Sequence, residues 1–129
     1  MDLIQPQPLP PTLAAPGLAR RYVASQAATW PAGLLDLVEL LASEVVTNAV
    51  IHGRGPVELL LNDDGSRLKV DVGDGKPGPL PWMPGQPADG HERGRGLLIV
   101  DYLADRWGYR PHPTAPGKIV WFELRYPGS

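Results

Sequence analysis

Three polar residues lie four positions apart in the apolar segment 40–53: Glu44, Asn48 and His52. At 100° per residue they form one line along a helix. Leucines and an isoleucine at positions 37, 40, 41 and 51 fall on the same side, which predicts hydrocarbon walls around the carboxylate and the amide. A solvated helix face would show the same Glu/Asn spacing, but the opposite side of this helix is also apolar. Because a sheltered, unpaired carboxylate is costly, the pattern predicts that the polar line faces a bound charged molecule.

Two further segments have residue types suited to a phosphorylated ligand. Asp74 opens the sequence Asp-Gly-Lys-Pro-Gly, and Gly94-Arg95-Gly96-Leu97 precedes an amphipathic run. A helix that begins with two glycines can bring its N–H groups against a phosphate, and Arg93 and Arg95 can add positive charge. Each segment alone is weak evidence. Asp-Gly is usually a plain turn, no parallel βαβ unit surrounds the Gly-x-Gly, and no Walker P-loop occurs.

Composition excludes several classes of protein and site. The chain has 129 residues, a length typical of one domain, and a net charge of −2, which argues against a nucleic acid or an anionic membrane bound by bulk charge. It has no cysteine, which excludes disulfides and thiolate metal sites. No apolar run is long enough to span a membrane, and no secretory leader is recognisable at the N-terminus. We therefore expect a cytoplasmic protein.

Periodicity and turn residues predict an α+β fold. Residues 1–15 are expected to form an N-terminal arm, with an edge strand around Leu3 and Ile4, and residues 16–126 the folded domain. The predicted helices span 16–30, 32–52 and 97–105, and the predicted strands span 57–61, 68–72, 106–110 and 118–126. This order favours a two-layer α/β sandwich, in which three helices cover one mixed, mostly antiparallel sheet. Residues 73–94 form a long Pro/Gly-rich loop, for which we expect a functional role as a lid.

The order of the three segments resembles the GHKL family, the histidine kinase-like ATPases with the Bergerat fold. The resemblance covers about residues 16–125. Glu-Val-Val-Thr-Asn-Ala-Val-Ile-His-Gly at 44–53 matches the family's N box, Asp74 falls in the G1 box, and Gly-Arg-Gly-Leu-Leu-Ile-Val at 94–100 matches the G2 box. The sequence of the N box is most similar to that of the stand-alone anti-sigma-factor serine kinases of the partner-switching type.

The resemblance implies ATP and Mg²⁺ as cofactors and gives each matching residue a role. Glu44 would be the general base, and the side-chain oxygen of Asn48 would bind Mg²⁺. Asp74 would accept a hydrogen bond from the adenine amino group, and Gly78 would let the backbone approach the base. The remaining nucleotide-binding residues would lie around the phosphates: Arg93, Gly94, Arg95, Gly96 and Leu97.

The resemblance also implies a lid, a reaction and partners. Residues 79–93 would be the ATP lid. The γ-phosphoryl group would pass to a serine of an anti-anti-sigma (STAS-type) protein, and the same surface would hold a sigma factor. Relatives of this type often form homodimers, so a homodimer is a further expectation, with no direct contact to nucleic acid or membrane.

Two departures from the family pattern motivate an alternative. Lys76 stands where the G1 box usually has its first glycine, and Ile119 stands where relatives often place a threonine hydroxyl near the adenine-side aspartate. Loss of that hydroxyl would remove a polar contact worth about 1 kcal/mol. The alternative function is a catalytically weak or inactive GHKL module that regulates by nucleotide-dependent sequestration of a protein. A histidine-kinase catalytic half is disfavoured, because the chain has no dimerisation helix with a phospho-accepting histidine.

Overall fold

The computed structural model describes residues 5–80 and 95–127, with only the backbone described at 95 and 96. Their elements follow the order β-α-α-β-β-α-β-β. The strands are β1 (Gln7–Leu9), β2 (Val57–Asp63), β3 (Arg67–Asp74), β4 (Arg106–Pro111) and β5 (Lys118–Arg125), and the helices are α1 (Ala15–Ser25), α2 (Leu34–His52) and α3 (Arg95–Leu103).

The five strands form one sheet in the order β1-β2-β3-β5-β4, and the pairings between neighbours are antiparallel. The sheet is therefore antiparallel across the described residues, where the sequence predicted a mixed but mostly antiparallel one. Alternate residues of the inner strands point to the helices and form the core, Val57, Leu59, Leu68, Val70, Val72, Val120, Phe122 and Leu124. The predicted two-layer α+β architecture is confirmed.

Helix α2 lies between the other two helices and over the sheet. It packs against α1, α3 and β3, and its apolar residues at 34, 38, 41, 42, 45, 46 and 49 are buried. The sequence prediction of hydrocarbon on every side was partly wrong, because Leu40 is 40% and Ile51 is 55% exposed among the described residues. Leu41 is fully buried and Leu37 partly buried. Glu44 therefore lies at the edge of the packed helix layer rather than in a closed apolar pocket.

The predicted ends of two elements differ from the observed ones. Helix α1 ends at Ser25 instead of continuing to Trp30, and consecutive turns over Ala27–Trp30 and Pro31–Leu34 lead into α2. The edge strand lies at Gln7–Leu9 and pairs with β2, whereas positions 3 and 4, where it was expected, lie outside the described residues. Pro8 is tolerated in β1 because an edge strand leaves one side of its ladder unpaired.

Asp63, at the end of β2, forms hydrogen bonds to the segment before α2, to the β2–β3 turn and to the segment after β5. Its carboxylate accepts hydrogen bonds from Trp30 Nε1 at 2.9 Å, the Gly65 N–H at 2.9 Å and the Tyr126 hydroxyl. Partial desolvation acts to raise the pKa of Asp63, but these three hydrogen bonds together outweigh it and lower the pKa. The same contact with Asp63 raises the pKa of Tyr126 to about 12.

We expect this cluster to make part of the stability depend on pH. Because the pKa of Asp63 is lower in the folded chain, its contribution is present above the unfolded pKa and is lost as pH falls through the folded value. Urea unfolding of the wild type and of Asp63→Asn measures this contribution. The titrations should run from about pH 2 to about pH 7, which covers roughly the range in which a carboxyl group titrates. The difference in unfolding free energy should shrink in acid. A difference that stays constant over that range would contradict the prediction.

Candidate functional site

The predicted base and the predicted magnesium ligand lie on adjacent turns of α2 and have no hydrogen-bond partner among the described residues. Asn48 is 9% exposed and Glu44 is partly buried. The structure gives neither side chain a hydrogen bond or an ion pair in the described ranges 5–80 and 95–127. In the described part of the chain, neither amide atom of Asn48 is both fully buried and unpartnered, so the amide reaches the protein surface, where it is available to a ligand.

The C-terminal end of α2 brings the N-box helix into contact with Asp74. A Cβ placed on Gly53 would lie 2.6 Å from Asp74 Cγ and 2.2 Å from the Ala49 carbonyl oxygen, so a larger residue has no room there. The Gly75 N–H also donates to the Arg54 carbonyl at 2.7 Å. Two segments that are some twenty residues apart in the sequence are thereby fixed beside each other.

Asp74 is buried and holds a buried lysine. It is the last residue of β3, and its side chain is 1% exposed. Lys118 Nζ lies 3.0 Å from Asp74 Oδ2 and 3.2 Å from Oδ1, and it also donates to the Lys76 carbonyl at 3.1 Å. The Lys76 N–H donates to Asp74 Oδ1 at 2.7 Å. The carboxylate predicted to receive the adenine amino group is therefore already part of an ion pair, with Oδ2 accepting no other hydrogen bond in the described chain.

Lys118 was not identified as a site residue from the sequence. It immediately precedes Ile119, and the β3–β5 register places it directly opposite Asp74. Opposite residues of an antiparallel pair share a face, so this register was the signal that could have found it.

The structure corrects the interpretation of Ile119. Because side chains alternate along a strand, Ile119 lies opposite Gly73 and on the other face of the sheet from Asp74. A residue at this position cannot supply a hydroxyl to Asp74 in this fold. The departure that bears on the aspartate is the lysine before it.

Gly78 lies against an aromatic ring that no motif in the sequence indicated. A Cβ on Gly78 would lie 2.8 Å from Cε2 of Tyr109, a β4 residue that is 37% exposed. Lys76 is exposed, so it does not fill the space beside Asp74 with its side chain. The glycine thus permits close approach of the 74–78 segment to β4, and Tyr109 provides a flat apolar surface at this end of the sheet.

The predicted phosphate-binding segment is described only from the start of α3. Arg95 is the first residue of α3, while Arg93, Gly94 and the lid residues 81–93 lie outside the described part of the chain. Gly96 follows within the first turn. Leu97 is fully buried in the core, so only its backbone could contact a nucleotide.

The donor set around Asn48 fits a magnesium ion carried by a nucleotide. Among residues 5–80 and 95–127, no three His, Cys, Asp or Glu side chains are grouped so as to hold a metal. Mg²⁺ commonly takes only one or two protein ligands and completes its shell with phosphates and water. The available Asn48 amide matches that pattern. The described residues do not match the other pattern, in which protein side chains alone surround the metal ion.

Comparison with known proteins gives a single family assignment. Over the described residues, no helix is long and apolar enough to cross a membrane. No curated protein gives a significant match to the chain. The model of the histidine kinase-like ATPase domain matches residues 9–124, which include every site position discussed above, and this match supports ATP binding and a regulatory role. The chain therefore belongs to the histidine kinase-like ATPase family.

Proposed function

We propose that this protein is an anti-sigma-factor serine kinase of the cytoplasm, which uses Mg-ATP to phosphorylate an anti-anti-sigma (STAS-type) protein on serine. Family membership supplies the ATP-binding domain. The observation that carries the proposal furthest is the Asn48 side chain, which is 9% exposed and yet has no hydrogen-bond partner in the described ranges. A carboxylate one helical turn before it provides the base that a kinase requires.

The proposed reaction assigns separate tasks to these residues. The hydroxyl oxygen of the substrate serine attacks the γ-phosphorus, and Glu44 accepts the proton of that hydroxyl. The bond between the γ-phosphorus and the β–γ bridging oxygen breaks, which releases ADP. When bound, Mg²⁺ would neutralise charge on the phosphates. Asn48 would hold the ion, and the start of α3 would direct backbone N–H groups at the phosphates.

Asp74 would hold the adenine amino group while it remains paired with Lys118. Each carboxylate oxygen has two acceptor positions, and Oδ2 contacts only Lys118 within the described structure. The amino group of adenine could use the second position. Tyr109, beside Gly78, would pack against the base.

The same ion pair favours an alternative function. Lys118 already compensates the charge of Asp74, which weakens the carboxylate as an acceptor for adenine. A domain with a weakened base pocket could regulate by sequestering a sigma factor without transferring phosphate. The two functions differ in whether Mg-ATP binds and is consumed.

Calorimetric titration with Mg-ATP tests the nucleotide site. We expect saturable binding to the wild type, and an Asn48→Ala variant should bind at least about tenfold more weakly because it loses the amide ligand. Asn62→Ala, a partly buried asparagine on β2 away from α2, is the matched control and should bind like the wild type. No heat from the wild type at submillimolar nucleotide would reject the kinase and favour the sequestering module. Equal binding by the Asn48 and Asn62 variants would reject the role of Asn48.

A further inference from the structure

A cavity lies on the face of the sheet that the helices do not cover. It has a volume of about 390 Å³. Its walls come from β2, β3, β4, β5 and the loop after β4, and they include Leu60, Asp71, Gly73, Arg110, His112 and Ile119. The size falls in the range of small-molecule sites, and the position is on the opposite side of the sheet from α2.

The cavity exists because one row of side chains across the sheet is interrupted. Glu58, Gly73, Ile119 and Arg110 face one another across four neighbouring strands. Gly73 contributes no side chain to this row, and a Cβ there would have only ordinary contacts, 3.7 Å from His112 Cδ2 and from Ile119 Cγ1. The missing side chain at Gly73 therefore leaves room beside the His112 and Ile119 side chains, and this room is part of the cavity.

One side of the cavity carries an ion pair with unused hydrogen-bonding capacity. Arg110 Nη2 donates to Asp71 Oδ2 at 3.0 Å, and the Asp71 side chain is only 10% exposed. Asp71 Oδ1 and Arg110 Nη1 are both buried, and neither has a partner among the described residues. Buried polar atoms are rarely left unsatisfied, because removing them from water without a new hydrogen bond is costly. An acceptor and a donor thus lie unused in the same pair.

His112 adds a polar group whose proton position can be assigned. Its Nδ1 accepts from the Thr114 N–H at 3.3 Å, so the neutral ring carries its proton on Nε2, which lies 3.7 Å from Glu58 Oε2. The charged groups facing the cavity are therefore Asp71, Arg110 and Glu58. Their sum is negative when His112 is neutral, which disfavours an anionic ligand.

We propose that this cavity binds a small uncharged molecule with a planar carboxamide or lactam edge. Such an edge offers an N–H donor and a carbonyl acceptor, the two complementary groups that Asp71 Oδ1 and Arg110 Nη1 lack among the described residues. The rest of the molecule would lie against the apolar wall of Leu60 and Ile119. This site is separate from the nucleotide site, because Asp71 and Asp74 point to opposite faces of β3.

The test uses nicotinamide as a probe and benzoate, which has two acceptors and no donor, as its matched analogue. In amide NMR titrations of the full chain, nicotinamide should give saturable shifts at Leu60, Gly73 and Thr114, and benzoate should give none at equal concentration. Asp71→Asn should weaken nicotinamide binding at least about tenfold. Glu123→Gln, which removes a carboxylate from the same sheet face outside this cavity, should leave binding unchanged.

A second variant keeps the test independent of the ion pair. Gly73→Val fills the cavity, leaves Asp71 and Arg110 in place and should abolish the nicotinamide shifts. Binding that persists in Gly73→Val or Asp71→Asn would overturn the proposal, and so would equal shifts with nicotinamide and benzoate. Absence of any saturable shift would overturn it too, because the two polar atoms are then satisfied by water only. None of these outcomes depends on ATP binding, so the result is independent of the proposed kinase function.

Discussion

A Lys118→Met variant is expected to lose about 3–5 kcal/mol of unfolding free energy, the usual cost of leaving a buried charge without its partner. The side chains of Lys118 and Asp74 are 5% and 1% exposed, so water cannot replace the lost ammonium group. Methionine keeps most of the volume and removes the charge and both hydrogen bonds to Asp74 Oδ1 and the Lys76 carbonyl. Urea unfolding at neutral pH measures the loss directly.

A double variant separates the ion pair from simple packing. Asp74→Asn removes the uncompensated charge, so Lys118→Met with Asp74→Asn should recover most of the lost stability. Lys69→Met is the matched control. Lys69 lies on the open face of the sheet, 5.0 Å from the centre of the Trp121 ring, and its loss should change stability by about 1 kcal/mol or less. A loss at Lys118 no larger than that at Lys69 would show that the buried pair contributes little.

The parts of the fold with a strong pattern could be predicted from the sequence. Helix α2 was expected at 32–52 and is observed at Leu34–His52, because its apolar residues recur at helical spacing until Gly53. The β2–β3 hairpin was expected because alternating apolar residues flank Asp64 and Gly65, and Gly65 adopts a φ of +91° that suits glycine. In both cases local sequence and tertiary packing favour the same structure.

The features that were missed depend on contacts between distant strands. The alternation of Val120, Phe122 and Leu124 puts Lys118 on the core face of β5, but only the register between β3 and β5 places it opposite Asp74. The next residue of β5, Ile119, lies on the other face of the sheet, where it lines the cavity beside Gly73. A family pattern aligns positions along the chain, but a difference of one residue in a strand reverses the face on which a side chain lies.

Glu44→Gln is expected to reduce phosphoryl transfer by about 10²–10⁴-fold while Mg-ATP still binds. Glutamine has nearly the same shape but cannot accept the serine proton, and Glu44 has no hydrogen bond or ion pair in the described structure whose loss would disturb the fold. The assay measures transfer from γ-labelled ATP to a panel of purified STAS-domain proteins from the source organism. Calorimetry on the same preparation measures nucleotide binding.

Glu39→Gln supplies the control for this prediction on the same helix. Glu39 is partly buried like Glu44, but five residues earlier it lies about 140° away around α2. Its variant should transfer phosphate at the wild-type rate. If Glu44→Gln retained wild-type transfer, Glu44 would not be the base, and its position beside Asn48 would have to serve nucleotide binding instead. If both variants lost activity together, the cause would be a general change in α2, because proton abstraction requires only the carboxylate on the Asn48 side of the helix.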